Sequence, residues 1–162
     1  MNKIPSLLLM VLSFTLLSCT GKAQKKPKAE QFPIQKTEKE WKKELTAAQY
    51  NVLRSAGTEK PFSSPLNNIK EAGTFVCAAC GKELYKTKNK FESGTGWPSF
   101  DQPIEGGVFI SKDNKLGYTR NEVLCADCGG HLGHVFNDGP KETTGKRYCM
   151  NGDAMKFIPE KS

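Results

Sequence analysis

Chemistry in this chain starts at Thr144–Asp153, Thr-Gly-Lys-Arg-Tyr-Cys-Met-Asn-Gly-Asp, which contains Cys149. A cysteine thiol is only slightly ionised at neutral pH, so it attacks well only when positive charge or hydrogen-bond donors stand close to it. Lys146 and Arg147 are the cations at hand. Side chains alternate along a strand, so Arg147, Cys149 and, in line after them, Asn151 would project from one face. That face would carry a cation, a sulfur and an amide. The competing reading is a buried cysteine that behaves as a small hydrophobe. The other five of the six cysteines decide between the two.

Cys77-Ala78-Ala79-Cys80-Gly81 and Cys125-Ala126-Asp127-Cys128-Gly129 are two matching knuckles. Four thiolates in two such pairs are the tetrahedral set that zinc takes in a closed structural site. The glycine after each second cysteine lets the chain turn tightly enough for backbone N–H groups to point at the ligating sulfurs. In an oxidising compartment each pair could instead close as a disulfide. The shared knuckle form and the long stretch between the pairs favour one structural zinc per chain. A site closed by four cysteines has no open position, so this zinc staples loops and does no catalysis. With four cysteines on metal and Cys19 beside an apolar N-terminal run, Cys149 is a lone thiol, for which a redox or nucleophilic role is the better reading.

Both histidines of the chain lie in His131-Leu132-Gly133-His134-Val135-Phe136, directly after the second knuckle. Histidine titrates near neutral pH and can hold or deliver a proton beside a reacting sulfur. As metal ligands they would compete with four better-matched cysteines; a structural pair is the other alternative. Gly94-Thr95-Gly96-Trp97-Pro98-Ser99-Phe100 presents Trp97 and Phe100 on a loop shaped by glycine and proline. Trp97 reads either as a core residue or as a wall for the methyl or thioether group of a substrate.

Cys-x-x-Cys-Gly, Ser-Gly-Thr-Gly-Trp-Pro-Ser-Phe, Cys-x-x-Cys, His-Leu-Gly-His-Val-Phe, Asp-Gly-Pro and Gly-Lys-Arg-Tyr-Cys-Met-Asn follow one another in this order. From about Thr37 to Ile158 the chain thereby resembles the B-type methionine-R-sulfoxide reductases. The resemblance implies antiparallel sheets, a structural zinc on Cys77, Cys80, Cys125 and Cys128, and Cys149 as the nucleophile. It further implies His131, His134, Asp138, Arg147 and Asn151 as the polar site, and Trp97 as the wall for the substrate methyl. The implied partners are methionine sulfoxide in oxidised proteins and a thioredoxin-like or small-thiol reductant. The chemistry of the residues agrees. A sulfoxide sulfur is electrophilic only once its oxygen gains a proton, so the site needs a thiolate, an acid and an apolar seat. His134 is taken as the nearer acid.

Two positions depart from the family pattern. Many members carry a resolving cysteine in the Ser-Gly-x-Gly-Trp loop, where this chain has Thr95. An external thiol is therefore expected to reduce the sulfenic acid of Cys149 directly. Asn151 is followed by Gly152-Asp153, where the family usually has a serine and a small residue. A carboxylate facing the sulfur would raise the thiol pKa, so Asp153 is expected to point away.

The elements that must position these groups are short. Thr37-Glu38-Lys39-Glu40 and Thr46-Ala47-Ala48-Gln49 are two capping boxes in succession. They predict two short helices, with Leu45 and Tyr50 as a hydrophobic staple and Gly57 as the C-terminal stop. From Pro61 onward short apolar bursts alternate with glycines and turn residues. Thr74–Val76, Val108–Ser111, Leu116–Thr119, Glu122–Leu124, Val135–Phe136 and Arg147–Met150 read as strands, with Asp113-Asn114 as the turn between the second and third. The expected class is mainly β: two antiparallel sheets or a barrel-like core, with two or three short N-terminal helices and a four-cysteine zinc site.

At 162 residues the chain accommodates one domain plus a tail. The charged fraction of 25% and hydrophobic fraction of 37% exclude a disordered or membrane-embedded body. Met1 to Ser18 joins Lys3 to an apolar run too short to span a membrane, which fits a secretory signal peptide. Leu16-Leu17-Ser18-Cys19 resembles a bacterial lipobox, which implies that Cys19 is acylated and becomes the new N-terminus. Residues 19–36 then form a lysine-rich, proline-marked tether, and residues 37–160 the catalytic domain. The net charge of +7 is concentrated in Gly21–Lys43, a solvated linker able to lie against anionic lipid. The expected location is exported and anchored to a bacterial membrane on its periplasmic or outer-membrane side, with a freely periplasmic or secreted product as the alternative. Thr20 after the anchor cysteine gives no aspartate-type signal for inner-membrane retention.

Two other classes compete. A zinc-knuckle binding module without activity would leave the histidine pair without purpose, and export removes nucleic acid as a partner. A disulfide oxidoreductase would need a cysteine paired with Cys149, and both Cys-x-x-Cys units are taken by metal. The expected state is a monomer with no nucleic-acid partner.

Overall fold

The computed structural model describes residues 32–161. The expected signal peptide, Cys19 and the tether up to residue 31 lie outside the described residues. Helix α1 (Glu38–Glu44) and helix α2 (Ala47–Ser55) start where the capping boxes predict. Thr37 Oγ1 accepts from Glu40 N at 3.3 Å while Glu40 accepts from Thr37 N at 2.7 Å, and Thr46 and Gln49 repeat the exchange. These bonds satisfy N–H groups that a short helix would otherwise leave without partners. The helices bury Trp41, Val52 and Leu53. Helix α2 ends one residue earlier than expected, on Ala56 in the left-handed region at φ 50°. Gly57 follows, where a Cβ would lie 2.4 Å from Asn51 Nδ2 and 3.0 Å from Asn51 O.

The strands are β1 (Gly73–Cys77), β2 (Glu83–Lys86), β3 (Lys90–Phe91), β4 (Ser99–Phe100), β5 (Val108–Asp113), β6 (Arg120–Cys125), β7 (His131–Phe136), β8 (Arg147–Met150) and β9 (Met155–Pro159). They form two antiparallel sheets, ordered β2-β1-β9 and β3-β4-β8-β7-β6-β5. The two-sheet expectation holds, but β2, β3, β4 and β9 are not among the expected strands, and three of the expected readings change. Leu116–Thr119 is not a strand but part of the connection between β5 and β6. There Lys115 N bonds Asp113 Oδ1 at 2.7 Å and Gly117 adopts φ 79°, a conformation that ends pairing. Asp113, read as a turn residue, is instead the last residue of β5 and pairs with Arg120. Strand β7 begins at His131, ahead of the expected Val135, so both histidines stand on a strand.

Aromatic side chains join the two sheets. Tyr85 of β2 stacks on Phe100 of β4 at 4.2 Å between centroids, and Phe75 of β1 meets Phe100 edge-on at 4.9 Å. All three are fully buried, and each such burial contributes about 1.5–3 kcal/mol. The Tyr85 hydroxyl donates to Met150 Sδ at 3.2 Å, and burial pushes its pKa well up. Phe32, read as tether, is buried and meets Phe109 edge-on at 5.7 Å, while Ile34 N bonds Asp127 O at 2.8 Å. Packing against the second knuckle thus extends ahead of the expected boundary at residue 37. Among the described residues no helix is long and apolar enough to cross a membrane.

Cysteine supplies the second cross-link between the sheets. Cys77 ends β1 and Cys125 ends β6, while Cys80 and Cys128 sit in the following turns. Gly81 and Gly129 take φ 79° and 66° there, which the tight knuckles need. Backbone N–H groups of Lys82 and Cys128 reach the sulfurs of Cys80 and Cys125. The four sulfurs lie within 4.8 Å of one another, with Cys77–Cys128 at 3.7 Å and Cys80–Cys125 at 3.5 Å. Tetrahedral zinc with Zn–S bonds of about 2.3 Å sets sulfurs about 3.8 Å apart, so the residues fit this metal. The sulfurs at 3.5 and 3.7 Å belong to different knuckles, far beyond a bonded S–S distance, and all four cysteines are free. Hydrogen bonding among the four sulfurs pushes the Cys80 and Cys125 thiols down and those of Cys77 and Cys128 up. The site is a structural zinc site.

Metal analysis should return about one zinc per chain, as a closed four-thiolate site requires. Cys125→Ser should lose the metal and about 4 kcal/mol or more of stability, the contribution of a ligand present at a thousandfold its Kd. A metal-free protein carrying two disulfides would sink this assignment.

Candidate active site

Cys149 lies on β8 between two partners, paired with His134 of β7 on one side and Ser99 of β4 on the other. Directly paired residues share a face, so the sulfur, the imidazole and a hydroxyl converge on one side of the sheet. Met150, next along, turns to the opposite face and is fully buried in the core. Gly133 makes the pairing possible, because a Cβ there would stand 2.1 Å from the Cys149 carbonyl oxygen. The face opens into a cleft of about 160 Å³ whose walls include Thr58, Trp97, Arg120, His134, Phe136 and Cys149. Trp97 is half-buried and therefore available as a wall, whereas Phe100 from the same loop belongs to the core.

The surroundings of the sulfur differ from the two-cation expectation. Lys146 turns to Asn137 Oδ1 at 2.6 Å. Arg147 does reach Cys149, but its fork is held by Asp138 through Nε–Oδ1 at 2.9 Å and Nη2–Oδ2 at 2.8 Å. Its plane also lies over Phe136 at 4.5 Å. Thr95 Oγ1 stands 3.9 Å from the sulfur, and Ser93 links the Thr95 and Ser99 hydroxyls at 2.8 Å each. Burial dominates and pushes the Cys149 thiol up, against the donors Thr95, Arg147 and Ser99. Burial therefore favours the neutral thiol. Asp153 is not among the groups that shift it, and its backbone N–H bonds Glu59 Oε2 at 2.8 Å. Asp138 itself is largely exposed and holds Arg147 from outside the cleft.

The histidines occupy different positions. His134 lines the cleft, and its Nε2 lies 2.5 Å from Asp113 Oδ2. The same oxygen accepts from Arg120 Nη2 at 2.8 Å. Burial works against ionisation of Asp113, but Lys115 N–H, His134 and Arg120 outweigh it and hold the carboxyl at about 2. Burial lowers the pKa of His134, with Asp113 opposing. His131 is buried behind it, with Nδ1 at 2.7 Å from Glu122 Oε1 and its ring 5.4 Å from that of His134.

Asn151 follows the end of β8 and borders the cleft, but its amide is engaged by backbone: Nδ2 donates to Leu132 O at 3.0 Å and Oδ1 accepts from Glu59 N at 3.1 Å. Glu59 is the other half of this brace. Its carboxylate accepts from Gly152 N at 2.7 Å and Asp153 N at 2.8 Å, and its carbonyl accepts from Trp97 Nε1 at 3.3 Å. Sequence reasoning missed Glu59, Asp113, Arg120 and Glu122. Charged residues inside β5 and β6 were the available signal, once Asp113 and Arg120 are recognised as a strand pair instead of a turn and its flank.

The model of the SelR domain matches residues 45–159 of this chain. A peptide methionine sulfoxide reductase MsrB of Leptospira interrogans is 52% identical over 130 residues, which cover 80% of this chain and 98% of the relative. One from Leifsonia xyli is 50% identical over 131 residues, covering 80% and 94%, and one from Methanosarcina barkeri is 53% identical over 128 residues, covering 78% and 89%. The matched stretch carries both sheets, all four zinc cysteines and the Cys149 cleft, and with it the chain belongs to the SelR-domain family, the B-type peptide methionine sulfoxide reductases.

Proposed function

We propose that the protein reduces the R epimer of methionine sulfoxide in oxidised proteins, with Cys149 as the nucleophile. The observation that carries this reading is the convergence of Cys149, His134 and Trp97 on one cleft. Trp97 and Phe136 offer an apolar seat to the thioether methyl, which orients the sulfoxide sulfur toward Cys149. The cysteine sulfur attacks, a histidine protonates the sulfoxide oxygen, and that oxygen passes as hydroxyl to the Cys149 sulfur as the S–O bond of the substrate breaks. Cys149 leaves as a sulfenic acid, its sulfur having lost the two electrons that the substrate sulfur gains. Arg147 and the Thr95 and Ser99 hydroxyls stabilise negative charge on the sulfur as it forms.

Regeneration uses an external thiol. Thr95 Oγ1 stands 3.9 Å from the Cys149 sulfur, and the other four described cysteines are committed to zinc. One thiol of a thioredoxin-like or small-molecule reductant condenses with the sulfenic acid, releasing water, and a second thiol frees Cys149.

The lipid anchor belongs to this proposal too. Lys3, the apolar run and Leu16-Leu17-Ser18-Cys19 support export with acylation at Cys19, which places the enzyme on a bacterial membrane facing the periplasm or the outside. The protein works there as a monomer. Replacing Cys19 by serine should move the full chain from the membrane fraction to the soluble fraction and abolish labelling by a fatty-acid probe.

Turnover of a methionine-R-sulfoxide peptide with dithiothreitol tests the activity: the R epimer should be reduced, the S epimer left, and Cys149→Ser should lose at least about 10³-fold in rate. Reduction of neither epimer by folded, zinc-loaded protein would leave a zinc-knuckle binding module. Mass spectrometry after turnover should find no intramolecular disulfide to Cys149. Alkylation of Cys149 should follow a thiol titrating above the free-cysteine value of about 8.5. Thr95→Val and Arg147→Met should each move that midpoint higher, because both side chains now lower it against the effect of burial.

A further inference from the structure

Each histidine of β7 is bound by a carboxylate from the neighbouring hairpin, yet only one of these pairs meets the cleft. Asp113 stands on β5, two strands from β7, and reaches across β6 to His134. It is buried, and three donors fix it: Lys115 N on Oδ1 at 2.7 Å, and Arg120 Nη2 and His134 Nε2 on Oδ2. A carboxylate held on both oxygens cannot rotate away, and it presents only acceptor atoms to the ring. Asp113 engages Nε2, so Nδ1 is the imidazole nitrogen that this carboxylate does not hold, on a ring that lines the cleft. Arg120 itself lines the cleft, so the ion pair closes the wall behind the imidazole.

We propose that Asp113 is a positioning residue for the reduction: by accepting Nε2–H it fixes the ring and tautomer of His134 so that Nδ1 moves the proton, while Arg120 locks the carboxylate in place. The proposal rests on the sulfoxide reductase reading. Neutral His134 takes the Cys149 S–H proton at Nδ1 as the sulfur attacks. Asp113 stabilises the resulting imidazolium, as a buried carboxylate does for a histidine base. The Nδ1–H then passes to the sulfoxide oxygen, which transfers as hydroxyl to the Cys149 sulfur as the substrate S–O bond breaks. Cys149 ends as a sulfenic acid and the substrate as a thioether, and no proton from outside is required. His131 stays behind, bound by Glu122, and shapes the field without meeting substrate. The charged or titratable groups facing His134 are Asp113 from β5, Arg120 and Glu122 from β6, His131 from β7 and Cys149 from β8. Of these, Asp113 raises the affinity of His134 for a proton, while Arg120 and His131 lower it.

The test compares pH profiles of kcat and KM on a methionine-R-sulfoxide peptide for the zinc-loaded wild type, Asp113→Asn and Glu122→Gln. Asp113→Asn should lower kcat by about 10²-fold, the lower end for losing a general acid–base group. KM should stay nearly constant. The limb on which rising pH removes the imidazolium should move to lower pH in Asp113→Asn, because the group that favours the charged ring is gone. Glu122→Gln should leave that limb in place, whatever it does to the rate. A folded Asp113→Asn with wild-type kcat and an unmoved profile overturns the proposal, as does a limb that follows Glu122→Gln instead. Should Asp113→Asn fail to fold, nitrogen-15 spectra of histidine-labelled wild type decide: neutral His134 should be the Nε2–H tautomer, and the Nδ1–H tautomer overturns the role. A wild type that reduces neither epimer overturns the reductase reading itself, whereas turnover with an Nδ1–H tautomer overturns only the part given to Asp113.

Discussion

Four sulfurs within 4.8 Å of one another join the ends of β1 and β6, which belong to different sheets, and the placement of the site depends on that join. Strand β6 carries Arg120 and Glu122, the latter bound to His131 and the former to the carboxylate that holds His134. Strand β1 pairs with β9, which fixes the exit of the chain after Asn151. A domain of this size has limited core, and the stacked Tyr85–Phe100 pair supplies only part of the cross-sheet contact. A metal that binds only the assembled thiolates adds its binding free energy to folding. The helices reinforce the same place, with Arg54 Nη1 donating to Cys128 O at 3.0 Å and its guanidinium lying over Trp41.

Against this frame the catalytic strand is held in a way that favours the neutral thiol. Cys149 is on a central strand, so both its neighbours approach closely and water is largely removed. Burial then outweighs one arginine, two of whose donors are engaged by Asp138. Reactivity of a cysteine toward oxidants follows its thiolate character, so a raised thiol pKa works against oxidation of this sulfur. Thr95, Arg147 and Ser99 each act to lower the thiol pKa against that burial.

The braces around the cleft follow one pattern: a carboxylate or amide from a distant segment satisfies backbone or ring N–H groups next to a reacting residue. Glu59 caps the turn after Asn151 and carries the Trp97 indole on its carbonyl, and Asn151 ties that segment to Leu132 between the two histidines. Such bonds are worth most where water is excluded, and an unmet buried partner costs more than the bond gains.

The amino-acid sequence by itself determined the local features: two capping boxes that start two helices, two Cys-x-x-Cys-Gly knuckles, the strand around Cys149, and a mainly β body in antiparallel sheets. These depend on residues close together in the chain, whose spacing states the geometry directly. The tertiary structure alone decided which groups meet. Leu116–Thr119 had the apolar character of a strand, yet the Asp113 Asx turn and the left-handed Gly117 made it a connection. Asp113 thereby became a strand residue able to reach His134 across β6. The balance at Cys149 was likewise invisible in Lys-Arg-Tyr-Cys, because sequence lists charges but not desolvation, and Asp138 neutralises Arg147 while burial raises the thiol pKa. Register and burial are set by pairings between strands far apart in the chain, and those are properties of the assembled sheets.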